Sequence, residues 1–318
     1  MSTRITPVTS CSETEPLLVK SEFNMPGCRC RRPRCRDFGL GASEAGFFTR
    51  PLSQCCYDII FFRILWYIYR LILPVIYITY LIWFWGFFNG VGAKAILFLT
   101  TWSVLGFTLY VIVAAGNVVW DRMCTCARDG AMYESDEPDM GVHHMFQWFL
   151  FNIFVNAEII VAVVYWTIIH DGINDTEEWI HDITAHLAPA IFSLIDVFFS
   201  ATPVRVLHFI YPLGYGVTYF IFAVIYWAAG GRGAGRNDDG TYTNYIYSFL
   251  DFEENLPMAM GFLVIMMITC MIVHLLIWGV YHLKKCLTRD TDERNDQTAN
   301  SEFTMVKTNS HSIDDIRV

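Results

Sequence analysis

Long apolar and aromatic runs alternate with short polar segments between residues 64 and 281, and no run shows the strict in–out alternation of a barrel strand. A helix needs about 20 mostly apolar residues to cross the hydrocarbon core. Six stretches meet or approach that length: 64–88, 95–115, 145–169, 183–199, 206–229 and 257–281. The second carries no charge, the third holds Glu158, and the fourth is the weakest, at 17 residues with Asp196 inside it. If the fourth lies in the interface, five spans remain. Lipid offers no water to backbone groups, so the runs read as helices that satisfy their own N–H and C=O. The pattern predicts an all-α fold, a polytopic membrane bundle over 57–282, flanked by a Cys/Arg-rich tail (1–56) and a second polar tail (283–318). Both tails are loose in composition and are expected to be disordered. The first apolar run starts too far in, and is too long, for a secretory signal.

Composition sharpens this. Of 318 residues, 54% are hydrophobic and 17% charged, against about 25% charged in soluble domains. Two soluble domains are excluded. The net charge of −9 comes mainly from acidic loops, so nucleic acid is not an expected partner. Lys and Arg set the orientation. Arg29, Arg31, Arg32, Arg34, Arg36 and Arg50 share one side with Arg122, Arg128, Arg205, Lys284, Lys285 and Arg289. The other side holds only Lys94, Arg232 and Arg236. Both tails are therefore expected to be cytosolic, in the plasma membrane or endosomal membranes. Nine cysteines fall on that side and Cys270 within a helix, so no disulfide framework is needed. Asn174-Asp175-Thr176 is a glycosylation sequon on the opposite side.

The tails carry short signals. Cys28, Cys30 and Cys35 stand among arginines, and Cys55, Cys56 and Cys286 flank helices, which suits thioester lipidation beside anionic lipid. The bland alternative is a solvated basic tail. A zinc knuckle wants a fourth ligand and a better spacing, so no metal is expected. Glu13, Leu17 and Leu18 have the form of an acidic dileucine signal for an adaptor, and Ile316-Arg317-Val318 suits a PDZ-type groove.

Ionisable residues in spans are costly, so each is a functional candidate. Arg70 lies close enough to one end to snorkel. Glu158 has Asn152 and Asn156 nearby and suits structural pairing or a proton path. His208, Tyr211, Tyr215 and Tyr219 recur at helical spacing and give the fifth helix a polar-aromatic face, either interhelical glue or the lining of a lipid cavity. Depth singles out two more residues. With the second helix entering at 95 and the fourth at 183, Thr100 lies about 7–8 Å in and His186 about 5 Å in, at 1.5 Å per residue. A hydroxyl and an imidazole at matching depth form a minimal nucleophile–base pair for an ester carbonyl. A threonine in a span more often bonds its own helix.

Pro203-Val-Arg205-Val-Leu-His208-Phe-Ile-Tyr211-Pro212, then Tyr219, Ile225-Tyr226-Trp227, Gly230-Gly231 and Ile246-Tyr247-Ser-Phe-Leu250-Asp251, resemble the rolling stone family of multipass membrane proteins associated with myoblast fusion. The resemblance covers roughly residues 60–282, and Phe252 departs from the family's usual Trp. That family looks distantly similar to the androgen-induced-gene hydrolases, intramembrane threonine enzymes that cleave fatty acid esters of hydroxy fatty acids. Their Phe-Leu-Thr run is matched by Phe98-Leu99-Thr100, and their histidine by the end of Asp182-Ile-Thr-Ala-His186, with Asp196 at the later acidic position. Their Asn-His-Gly before the histidine is absent here. The resemblance implies Thr100 and His186 as the catalytic pair. Tyr211, Tyr215 and Tyr219 are expected to line the acyl cavity, with Tyr247 and Asp251 on a capping loop.

Three functions compete: a lipid-ester hydrolase without cofactor, a non-enzymatic protein of cell fusion or adhesion, and a haem protein bridging His208 and His274. Membrane lipids, with fatty acid esters as substrate, are the partners of the first.

Overall fold

The computed structural model describes residues 60–88, 90, 92–129, 140–170, 176–237 and 239–314, with backbone alone at 60, 124–129 and 287–314. Among these residues seven α-helices follow in order: α1 (Ile60–Trp83), α2 (Leu99–Asp129), α3 (Val142–Val164), α4 (Thr176–Asp182), α5 (Ala188–Phe199), α6 (Ile210–Ala228) and α7 (Leu256–Asp314). A π turn, Ile183–Leu187, joins α4 to α5 into one rod, Thr176–Phe199. Six helical segments are then long and apolar enough to cross a membrane, and the fold is a polytopic helical bundle. The fourth span starts seven residues before the position its apolar run suggests, because Glu177, Glu178 and Asp182 sit on helix rather than loop. α7 continues past 283 to Asp314 where a disordered tail is expected. Its Glu, Gln and Lys are good helix formers, and an established helix propagates at little cost.

The bundle turns aliphatic side chains outward and buries polar groups among aromatic and smaller apolar ones. On α1, Ile64, Leu65, Ile68 and Ile72 are exposed while Trp66, Arg70, Leu73 and Tyr77 are buried. α3 is the centre: 67% of its spanning window is buried, against 17% for α6 and for α7, and it packs on α2, α5, α6 and α7. Close approach of α2 and α3 requires Gly106. A Cβ there would lie 1.9 Å from Phe154 Cζ, and small residues are what let membrane helices meet. Asn117 Nδ2 donates to Gln147 Oε1 across the same interface at 2.7 Å.

Arg70 does not snorkel. It is 1% exposed and ion-paired with Asp196 of α5 at 2.8 Å. Asp196 also accepts from Tyr69 (2.9 Å) and Tyr110 (2.5 Å), which ties α1, α2 and α5 together. Near the far end of α5, Lys284 of α7 donates to the carbonyls of Val197 (2.5 Å) and Ser200 (2.8 Å), a cation satisfying terminal acceptors. Cys286 is disulfide-bonded, against the expectation of free, lipidatable thiols on that side. Cys28, Cys30, Cys35, Cys55, Cys56, Glu13, Leu17, Leu18, Asn174 and the last four residues lie outside the described residues.

Candidate functional site

Three π turns gather at one end of the bundle. Phe84–Phe88 closes α1, Tyr165–Ile169 closes α3, and Ile183–Leu187 precedes α5. A π turn widens the backbone ring to i→i−5, as in His170 N–H to Tyr165 O at 2.9 Å, and such turns concentrate at functional sites. The third stands just before Pro189, which cannot donate a helical hydrogen bond.

The wide turns bring side chains face to face. His186 stacks on Tyr165 with ring centroids 3.4 Å apart and planes 6° apart. One turn earlier, Asp182 points Oδ1 at His186 Nδ1 (4.0 Å) and Oδ2 at His170 Nδ1 (3.7 Å). His181 pairs with the Tyr80 hydroxyl at 2.9 Å and stacks on Phe84 and Phe88.

Thr100 stands opposite, as the second residue of α2. The preceding 3₁₀ turn, Gly92–Leu97, is anchored by side chains: Thr101 Oγ1 donates to Ala95 O, Trp102 Nε1 to Ile96 O and Tyr219 to Leu97 O, all at 2.7 Å. Thr101 is thereby occupied with structure. Above Thr100 lies Tyr247, in the connection between α6 and α7. Its hydroxyl accepts from Leu99 N–H at 3.1 Å. Burial pushes the Tyr247 hydroxyl up to about 12, against the pull of that hydrogen bond, so it stays neutral.

Two cavities meet at Thr100. One, of about 540 Å³, is lined by Thr100, Tyr165, Glu178, His181, Asp182, His186 and Tyr247 among others. The other, of about 120 Å³, is almost wholly apolar and reaches Val164, Phe262, Met266 and Met267. Thr100, Tyr165, Ile169 and Tyr247 line both.

Thr100 and His186 thus share one cavity; no hydrogen bond joins them among the described residues. The helices begin at Leu99 and Thr176 rather than at 95 and 183, so Thr100 and His186 do not lie at the matched depths those starts imply. Tyr215, Tyr219 and Tyr247 line the smaller cavity. Tyr211 lines neither cavity: it packs on Phe149 and His208, further from Thr100 along α6. Asp251 also lines neither, because its Oδ1 caps the N–H groups of Glu253 and Glu254 at 3.0 Å each. Asp182 and Tyr165 were missed. The i,i+4 spacing of Asp182 and His186 was a readable signal, hidden by starting the helix at 183. Glu158 is fully buried, with no hydrogen bond to either oxygen among the described residues. His274 Nε2 is engaged with Arg205 O at 2.9 Å, which takes from a haem reading the nitrogen that would face iron.

The family model described as Protein rolling stone matches residues 32–294. Protein rolling stone of Drosophila melanogaster is 25% identical over 228 residues, which cover 67% of this chain and 80% of the fly protein. No solved structure matches.

Proposed function

The chain belongs to the rolling stone family, and from that premise we propose that it is an intramembrane lipid-ester hydrolase with Thr100 as nucleophile and His186 as base. One observation carries the reading: the hydroxyl and the imidazole line the same cavity, and a carboxylate stands behind the ring. With Nδ1 turned to Asp182, Nε2 is the nitrogen presented to substrate. A carboxylate behind the ring stabilises the imidazolium electrostatically as the proton arrives.

Thr100 Oγ1 attacks the ester carbonyl carbon while His186 Nε2 takes the hydroxyl proton. The carbonyl π electrons move onto oxygen, and the oxyanion accepts a hydrogen bond from the Tyr247 O–H. Collapse re-forms the carbonyl and breaks the carbon–oxygen bond to the alcohol, which leaves with the proton from His186. Water, deprotonated by the same nitrogen, attacks the acyl-threonine. The fatty acid departs and the proton returns to Thr100. The acyl chain lies in the smaller apolar cavity throughout. From the Lys/Arg asymmetry we infer that both tails are cytosolic and the site opens near the outer leaflet.

Fluorophosphonate labelling of membranes expressing the full chain tests this. The wild type takes up the probe, and Thr100→Ala and His186→Ala abolish labelling while Thr101→Ala keeps it. Labelling that survives Thr100→Ala overturns the hydrolase reading and leaves a non-enzymatic membrane protein of cell fusion or adhesion.

A further inference from the structure

The larger cavity is electrostatically one-sided. With histidines neutral, Glu178 and Asp182 are the charged residues among its described lining, and no Lys or Arg is there. The Asp182 residue is 6% exposed and its carboxylate accepts no hydrogen bond among the described residues. The nearest ring nitrogens, on His170 and His186, lie at 3.7 and 4.0 Å, beyond hydrogen-bond reach. An ionised carboxylate in such a pocket is costly until a positive charge meets it. The walls are also rich in rings: Tyr80, Phe84, Phe98, Tyr165 and Tyr247 line the cavity. Carboxylates and ring quadrupoles attract the same ligand, an alkylated ammonium, whose positive charge is spread over methyl groups that need no hydrogen bonds. They repel a carboxylate, the group on the alcohol arm of an ester of a hydroxy fatty acid.

The division of chemistry between the two cavities orients an ester across Thr100. The small one offers aliphatic and thioether side chains and suits a hydrocarbon chain. The large one offers negative charge and rings and suits a cationic head. Resting on the hydrolase reading for the ester itself, we propose that the alcohol arm of the substrate carries a quaternary ammonium group that docks in the larger cavity against Asp182.

The test reads binding rather than turnover. Full-length protein carrying Thr100→Ala, in dodecyl maltoside micelles, is titrated calorimetrically with lauroylcholine and with 3,3-dimethylbutyl laurate, its neutral carbon isostere. The ratio of the two dissociation constants is compared between variants, so the micelle's own preference cancels. The choline ester should bind about tenfold tighter, in line with a desolvated cation–π and carboxylate contact. Adding Asp182→Asn should bring the ratio close to one, and adding Glu178→Gln should lower it in part without touching the histidine's carboxylate. Equal binding of the two esters to the Thr100→Ala protein overturns the proposal. So does a ratio that persists through both carboxylate changes. Preferential binding of lauroylcholine that the wild type does not hydrolyse removes the hydrolase reading and keeps the cation site. Hydrolysis of both esters with no binding preference does the reverse.

Discussion

Replacing Asp196 by Leu should be among the most damaging single changes in the bundle. Asp196 is 0% exposed and accepts from Arg70, Tyr69 and Tyr110. Without it the Arg70 guanidinium keeps its Tyr110 contact and its positions over the Trp66 and Tyr69 rings at 4.5 and 5.6 Å, with Nε and Nη2 already unbonded among the described residues. Removing one member of a buried ion pair costs about 3–5 kcal/mol, chiefly because the other charge is stranded. The pair itself has no such net worth, so Arg70→Met with Asp196→Leu should recover most of the loss. What remains is the orphaned Tyr110 hydroxyl, about 1–3 kcal/mol. Tyr69 keeps Phe192 O at 3.2 Å and needs no rescue. Adding Tyr110→Phe should then bring the triple variant close to wild type. The assay is reversible denaturant unfolding in detergent, followed by tryptophan emission. A loss under about 1 kcal/mol for Asp196→Leu would mean that water reaches Arg70, and a double variant no better than the single would falsify the stranded-charge account.

Three further outcomes are expected. Glu158→Met should stabilise the bundle by about 1–3 kcal/mol in the same unfolding assay, since it removes a buried carboxyl that has no hydrogen-bond partner among the described residues; a loss would reveal a partner for that group. Tyr247→Phe should lower ester turnover by about 10²-fold, because one donor to the oxyanion is lost, and unchanged turnover would remove Tyr247 from the mechanism. Epitope tags at the two ends should both be hidden in intact cells, and surface staining of either one reverses the inferred orientation.

The spans were legible because lipid demands long apolar runs, and each of the six produced one. Their ends were less so. Residues 176–182 carry Glu177, Glu178 and Asp182, a charge density that reads as loop when the chain is scanned for hydrophobicity. The Arg70–Asp196 pair joins residues 126 apart in sequence, and only the packing of α1 against α5 brings them together. Thr100 and His186 do line one cavity, but His186 sits in a π turn that a 3.6-residue period cannot detect. Tyr165 was invisible for the same reason: its turn re-aims it towards His186.

Each π turn holds one more residue than the α-turn it replaces, so each is equivalent to a single inserted residue. Winding the same residues of Ile183–Leu187 as plain α-helix would remove that accommodation. Everything on one side would then rotate by about 100° and shift by about 1.5 Å relative to the other. Asp182 and Asp196 lie on the two sides of that seam, one lining the cavity and the other facing Arg70. A plain α-helix of the same residues could keep either facing but not both. The wide turn lets one rod serve two faces at once, so a change that straightens it should cost the site even where every side chain that lines the cavity is kept.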